Sequence, residues 1–273
     1  MLVFPNCKIN LGLHVCNKRE DGFHDIETIF YPIALTDALE ILPSHNTNSA
    51  ILFTASGLLI DGKEEDNICI KAYHLLKNDF PQISPIKMHL HKAIPLGAGM
   101  GGGSADGSFT LTLLNQIFNL GLSSEQLLAY ALQLGSDCPF FIINKASYAI
   151  GRGEVMKAID INLSAYKIAI VNPGIHINTG WAFSQITPTI PLLSLEKIIS
   201  QPVDTWKDAL LNDFEKPVFE KYPAIRNIKQ ELYALGATYA AMSGSGSTVY
   251  GLFKNAISLQ TFSNKNYFAK ILD

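Results

Sequence analysis

Polar and apolar residues alternate from residue 2 to 15, putting Cys7, Ile9, Leu11 and Leu13 on one face of an extended chain and Lys8, Asn10, Gly12 and His14 on the other. The pattern predicts a strand over 2–15. Further strands are predicted at 26–35, 38–42 and 50–55, the last two around the polar loop Ser44–Ser49. At Ile68, Ala72, Leu75 and Leu76 the spacing becomes helical, predicting a helix over 68–78 capped by Asn67. Residues 86–91 return to a strand pattern. Phe109, Leu111, Leu113, Leu114, Ile117 and Phe118 then mark a helix running to Asn119, with Ser104 as its cap. Ser123 caps a helix over 124–134, which Gly135 ends as a C′ residue. Asp137 follows on a tight connection into the apolar Phe140–Ile143.

Later in the chain, strands are predicted at 147–150 and 166–171, with the turn Gly151-Arg152-Gly153 between them and Asn172-Pro173-Gly174 as a sharp stop. Residues 150–165 read as a boundary dividing the chain into 1–155 and 156–273. Asn178 or Thr179 caps a short helix containing Trp181 and Phe183. A proline-rich loop, 187–191, separates it from an all-helical stretch, Ser194–Leu235. Strands at 239–242 and 248–253 flank a second glycine–serine loop, Ser243–Thr248.

Between the strand at 86–91 and the helix after it lies the most informative stretch, Pro95-Leu96-Gly97-Ala98-Gly99-Met100-Gly101-Gly102-Gly103-Ser104-Ala105-Asp106-Gly107. Glycines let a ligand approach the backbone closely, and N–H groups at a helix N-terminus favour an anion. The strand–loop–helix context makes the stretch a phosphate cradle; a flexible glycine hinge is the alternative. No lysine follows the glycines, so it is not a Walker A loop. Gly97, Gly99 and Gly102 match dinucleotide spacing by letter, but no buried strand leads to Glu125, the acidic residue that motif requires.

Composition narrows the class. The chain has 273 residues, 48% hydrophobic and 16% charged, as expected of a globular enzyme with a substantial core. A net charge of −3 without any basic run argues against nucleic-acid and membrane partners. No apolar run reaches membrane-span length, and Met1–Asn10 does not resemble a signal peptide, so a cytoplasmic location is expected. The four cysteines (Cys7, Cys16, Cys69, Cys138) lack CxxC spacing and read as reduced packing thiols.

Several residues carry two readings each. Lys8 is an edge-strand charge that blunts aggregation, or a cation held inside a site. Phe23-His24, after a glycine turn, is core plus surface, or a pair that stacks on and hydrogen-bonds a flat heterocycle. Asp137 is a turn aspartate or a catalytic carboxylate. Asn67 is a helix cap that could also touch a base. The Ser243–Thr248 loop is a hairpin turn or a second wall beside a phosphate.

Taken together and in order, these features resemble the GHMP small-molecule kinases. That family carries a Pro-x-x-x-Gly-x-Gly-Ser-Ser/Ala loop and a late Gly-Ser-Gly loop, matched by Pro95–Asp106 and Met242–Ser247. Lys8-Ile-Asn10-Leu, Asp21-Gly-Phe-His24, Leu134-Gly-Ser-Asp137-Cys-Pro-Phe140 and Asn172-Pro-Gly174 point to the members that act on a cytidine diphosphate-linked methylerythritol in non-mevalonate isoprenoid biosynthesis. The resemblance implies an α+β, two-domain GHMP kinase architecture, its N-terminal half like a ribosomal-protein domain and its C-terminal half ferredoxin-like. It implies ATP as phosphoryl donor, with Mg²⁺ expected and Ser104 as one candidate ligand, and a monomer or homodimer. Lys8 and Asp137 take catalytic roles, Asp137 as base or as electrostatic guide. Asn67 and Pro95 through Ala105 bind ATP. Asn10, Phe23, His24, Thr179 and Phe183 bind the acceptor, with its cytosine between Phe23 and Phe183 and its edge read by His24. Position 23 is often Tyr in the family and position 100 often Leu. Phe23 keeps the stacking but loses a phenol bond, and Met100 keeps a similar apolar volume. Competing readings are a GHMP kinase for mevalonate, homoserine or a sugar, a non-catalytic nucleotide-binding protein on the same fold, and a related decarboxylase.

Overall fold

The computed structural model describes residues 1–44 and 49–273. From its start the chain forms β1 (Leu2–Val3), β2 (Asn6–Lys18), β3 (His24–Thr36), β4 (Ala38–Pro43), β5 (Ile51–Gly57), α1 (Ile68–Asp79) and β6 (Ile86–Lys92). Helices α2 (Gly102–Ile117), α3 (Ser124–Leu134) and α4 (Cys138–Ile143) precede β7 (Ser147–Ile150), β8 (Val155–Ala158) and β9 (Lys167–Asn172). Then come α5 (Thr179–Ser184), α6 (Leu195–Ile199), α7 (Glu215–Lys221), α8 (Pro223–Ala234), β10 (Tyr239–Met242), β11 (Val249–Phe253), α9 (Gln260–Ser263) and β12 (Phe268–Leu272).

These elements form two compact units, neither continuous in sequence. The first holds Met1–Cys7, Leu35–Leu96 and Gly101–Asn144; the second holds Lys8–Ala34, Gly97–Met100 and Lys145–Asp273. The first unit has a mixed sheet in the order β1-β4-β6-β5. Its β5 and β6 run parallel because α1 provides the crossover between them. Ile86, Met88 and Leu90 alternate onto the buried face and pack with Leu39 and Ile41 against α1 (Cys69, Ala72, Tyr73, Leu76) and α2 (Leu111, Leu114). The α1 stripe is rotated from the expected one: Cys69, Ile70 and Tyr73 are buried, while Ile68 and Leu75 are half-buried. The predicted Ser123 cap is present as a full capping box with Gln126.

The second unit has two sheets, ordered β2-β3-β7-β8 and β10-β11-β9-β12. The latter is antiparallel throughout and ferredoxin-like in order, with Ile225, Ile228 and Leu232 of α8 in its core. Among the described residues, no helix is long and apolar enough to cross a membrane. None of the four cysteines forms a disulfide. Burial is the main cause that pushes the thiols of Cys16 and Cys138 up to about 11 and that of Cys69 higher still, which disfavours their thiolates.

Several expectations are corrected. The strand expected over 2–15 is two, broken at Phe4-Pro5, where proline has no N–H to give. Ser104 is not the cap of α2. Gly101, in the left-handed conformation, starts that helix earlier and leaves Ser104 inside the first turn. Gly135 ends α3 in extended rather than left-handed backbone, φ 167°. A strand that the pattern did not predict, β8, lies within 150–165 and pairs antiparallel with β7; most of its side chains are exposed, so it leaves little alternating signal. The stretch 194–235 is not all helical: Leu13 bridges Asn212 in the gap before α7. Strand β12 and helix α9 carried no recognised pattern. Of the loop Ser44–Ser49, residues 45–48 lie outside the described residues.

Candidate active site

In the first unit, β6 delivers the chain into the glycine loop and α2 leaves it. Gly101 has φ 67°, so an ordinary side chain would be strained at this N-cap, and no side chain caps the helix. The first intrahelical bond runs from Ala105 N to Gly101 O (2.9 Å). The N–H groups of Gly102, Gly103 and Ser104 therefore precede the helical ladder and form an open donor set with the helix dipole behind it. Beside this turn lies a cavity of about 510 Å³, lined among others by Asn67, Lys92, Leu96, Gly103 and Asp106. Its size suits a nucleoside. Asn67 caps α1 through Oδ1, which accepts from Cys69 N at 2.9 Å. That leaves its amide nitrogen for a ligand.

Under the loop sits a buried ionic triad. Lys92 Nζ pairs with Asp37 Oδ2 and, at 2.6 Å, with Asp106 Oδ2. Asp37 Oδ1 accepts from Ala93 N (2.6 Å) and Ile94 N (2.8 Å). Burial pushes the Asp106 carboxyl up to about 7, against the pull of the Lys92 charge. Burial lowers Lys92, but the charges of Asp106 and Asp37 outweigh it and hold the ammonium above its ordinary value. Asp106 Oδ1 is buried without a hydrogen-bond partner.

Asp137 belongs to the same unit, at the N-cap of α4. It is half-buried, with helical backbone (φ −83°, ψ −17°) and no cap hydrogen bond. Ser108 Oγ of α2 donates to Cys138 O at 2.7 Å, which ties the start of α4 to α2.

Lys8 and Asn10 belong to the second unit. Lys8 is 3% exposed, which rules out a solvated edge-strand charge. Its ammonium donates to Asn10 Oδ1 (2.6 Å) and lies 4.9 Å from the Phe30 ring centre. Asn10 Nδ2 donates to Thr28 Oγ1 at 2.9 Å. The Lys8 backbone N–H donates to Met100 O, and Ser243 Oγ donates to Gly99 O at 2.8 Å. The second glycine–serine loop is thus both the β10–β11 hairpin and a wall against Gly97–Met100. Gly99 is required here: its φ is 76°, and a Cβ would lie 2.1 Å from Ser243 O.

The residues expected to hold the base are only partly brought together. His24 stacks on Phe183 with ring centres 4.8 Å apart and planes 17° apart. Phe214 meets Phe183 edge-on at 4.9 Å. Phe23 is half-exposed and faces the Arg152 guanidinium at 4.4 Å rather than Phe183. Thr179 Oγ1 lies 3.1 Å from Ser245 Oγ, and Asn178, not Thr179, caps α5. Burial, and secondarily the Lys18 charge, lower His24 below the ordinary histidine value, so it is neutral at pH 7. Sequence reasoning missed Asp37, Lys92 and Arg152. Lys92 closes a strand with buried alternate positions, which was a usable signal; Asp37 and Arg152 left none.

The family model of the GHMP kinases N terminal domain matches residues 67–145, and that of the GHMP kinases C terminal region matches 194–267. The chain is 52% identical over 253 residues to the 4-diphosphocytidyl-2-C-methyl-D-erythritol kinase of Bacteroides fragilis, covering 93% of this chain and 92% of that one. To the kinase of the same name from Azobacteroides pseudotrichonymphae it is 54% identical over 255 residues, with 93% and 94% covered. A crystal structure of 4-(cytidine 5'-diphospho)-2C-methyl-D-erythritol kinase superposes with TM-score 0.81 at 28% identity, over 100% of this chain and 99% of that one. The Methanococcus jannaschii mevalonate kinase shares the fold, with TM-score 0.70 at 13% identity over 99% and 97% of the two chains.

Proposed function

Because the chain belongs to the GHMP kinases, we propose that it transfers the γ-phosphoryl group of ATP to the 2-hydroxyl of 4-diphosphocytidyl-2-C-methyl-D-erythritol, in non-mevalonate isoprenoid biosynthesis. The observation that carries this reading is likeness to kinases of that name over 93% of the chain. Within this reading the family domains are 1–155 and 156–273, and the protein works in the cytoplasm, where its four cysteine thiols stay reduced.

Phosphoryl transfer needs positioning and charge neutralisation more than a strong base. In our reading the adenosine occupies the cavity beside Asn67 and Leu96. The N–H groups of Gly102, Gly103 and Ser104 hold the phosphates and meet charge as it spreads. Asp137 orients the 2-hydroxyl and takes its proton as the oxygen–phosphorus bond forms and the bond to ADP breaks. Lys8, held by Asn10, neutralises the transferring group. His24 and Phe183, with Phe23, engage the cytosine; as the rings stand, the base must part His24 from Phe183 or displace Arg152 from Phe23.

Among the described residues no group of three or more His, Cys, Asp and Glu could hold a metal. In our reading Mg²⁺ is carried by the ATP phosphates with one or two protein oxygens, Ser104 Oγ being the one we nominate. Bound there, Mg²⁺ would neutralise phosphate charge.

The test is a coupled ADP-release assay with Mg-ATP, in parallel on the cytidyl methylerythritol substrate, mevalonate, homoserine and galactose. Turnover with the first alone is expected. Turnover with another substrate instead keeps the kinase chemistry and discards the cytosine assignment. No turnover with ATP binding intact would favour a non-catalytic nucleotide-binding protein.

A further inference from the structure

We propose that Asp37 is a positioning residue for ATP: it clamps the two ends of the glycine loop through the N–H groups of Ala93 and Ile94 and through Lys92 to Asp106. The inference rests on reading that loop as the ATP phosphate site. The loop leaves β6 after Lys92 and re-enters regular structure at Gly102. Asp37 Oδ1 holds the outgoing corner by two backbone bonds, 2.6 and 2.8 Å long. Its Oδ2 pairs with Lys92, whose ammonium reaches Asp106 in the first turns of α2 at 2.6 Å. One side chain thus ties together residues that bracket the loop on both sides. Asp37 is itself fixed, its N–H donating to Pro5 O at 2.9 Å.

The composition of the cluster argues against a role in stability alone. Two carboxylates share one ammonium, all three residues are at most 2% exposed, and Asp106 Oδ1 has no partner. A buried ionic group is a poor source of net stability, since apolar residues of similar volume often serve as well. What it supplies is directional, short-range geometry. Lys92 and Asp106 also line the cavity beside the loop, whereas Asp37 does not and acts only through them and the two N–H groups.

The experiment measures ATP binding by calorimetry, and KM for ATP and for the cytidyl substrate, in the wild type, Asp37→Ala, Asp37→Asn and Asp106→Asn. Asp37→Ala should weaken ATP binding at least about tenfold, the scale of losing hydrogen bonds to a charged group. KM for the cytidyl substrate should stay within about twofold of the wild-type value on the same argument. Asp37→Asn keeps an oxygen for Ala93 and Ile94 and should recover most of the loss; a merely structural role would predict no such ligand-selective rescue. A folded Asp37→Ala with unchanged ATP affinity, or with equal losses for both ligands, overturns the proposal. If Asp37→Ala does not fold, Asp106→Asn decides: unaltered ATP affinity overturns it, a selective loss supports it. A wild type that binds ATP without phosphorylating the cytidyl substrate fails the functional reading alone, since ATP binding still tests the clamp; a wild type that does not bind ATP overturns both.

Discussion

In the proposed mechanism the chemistry turns on Asp137. It stands at the N-cap of α4 without a side-chain cap hydrogen bond. Asp137→Asn should lower kcat by about 10²–10⁴, the usual contribution of a positioned acid or base, with ATP affinity nearly unchanged. Wild-type turnover in that variant would remove it from the mechanism. His24 carries a pH signature. Its pKa is lowered, by burial first and the Lys18 charge second, so the neutral ring is the folded form at pH 7. Any stability this gives is present above the unfolded pKa and is lost as pH falls through the folded one. A neutral imidazole has one donor and one acceptor for a base edge, and the protonated ring loses the acceptor. KM for the cytidyl substrate should therefore be flat from pH 8 to 7 and rise in the acid range. His24→Ala should raise that KM, flatten its pH dependence and spare ATP; a retained acid limb would assign it to another group.

Among elements, the glycine loop and the α3 cap separate function from stability. Gly99 combines φ 76° with a Cβ position 2.1 Å from Ser243 O, so Gly99→Ala must move one loop or the other. Its KM for ATP should rise about tenfold or more, by the reasoning that displaced N–H groups no longer meet the phosphates. Ser123 lies in a capping box on an exposed helix end. Ser123→Ala should cost about 1 kcal/mol and lower Tm by a few degrees with both KM values intact. If both variants shift Tm and kinetics together, the loop has no role beyond folding. The α3 cap was legible in advance because a capping box is local. The N-cap of α2 lies three residues before the expected Ser104 cap; a serine in a glycine run looks like a cap until Gly101 is seen in left-handed backbone.

For the whole molecule, ligand binding should appear as stability. Mg-ATP at about a hundred times its Kd should stabilise the folded chain by about 2.7 kcal/mol and raise Tm by several degrees. An unmoved Tm at saturating ATP would remove the nucleotide reading. The units through which this stabilisation acts are not read off the chain order, since residues 8–34 and 97–100 join the unit made mostly from residues 145–273.

The sequence by itself determined the strand–glycine loop–helix unit, most strands and helices, the Asn67 and Ser123 caps, and the family through motifs such as Lys8-x-Asn10 and Asp21-Gly-Phe-His24. Such features are local: a period of two or 3.6, a left-handed glycine, a side chain two or three residues from the N–H it caps. Only the tertiary structure decided that Lys8 is buried, that Phe183 faces His24 while Phe23 faces Arg152, and that Asp37 reaches Lys92 across 55 residues of chain. Burial and pairing over that separation depend on how sheets and helices stack. An exposed hairpin strand such as β8, or an aspartate such as Asp37 whose partners lie far along the chain, leaves no periodic trace to read.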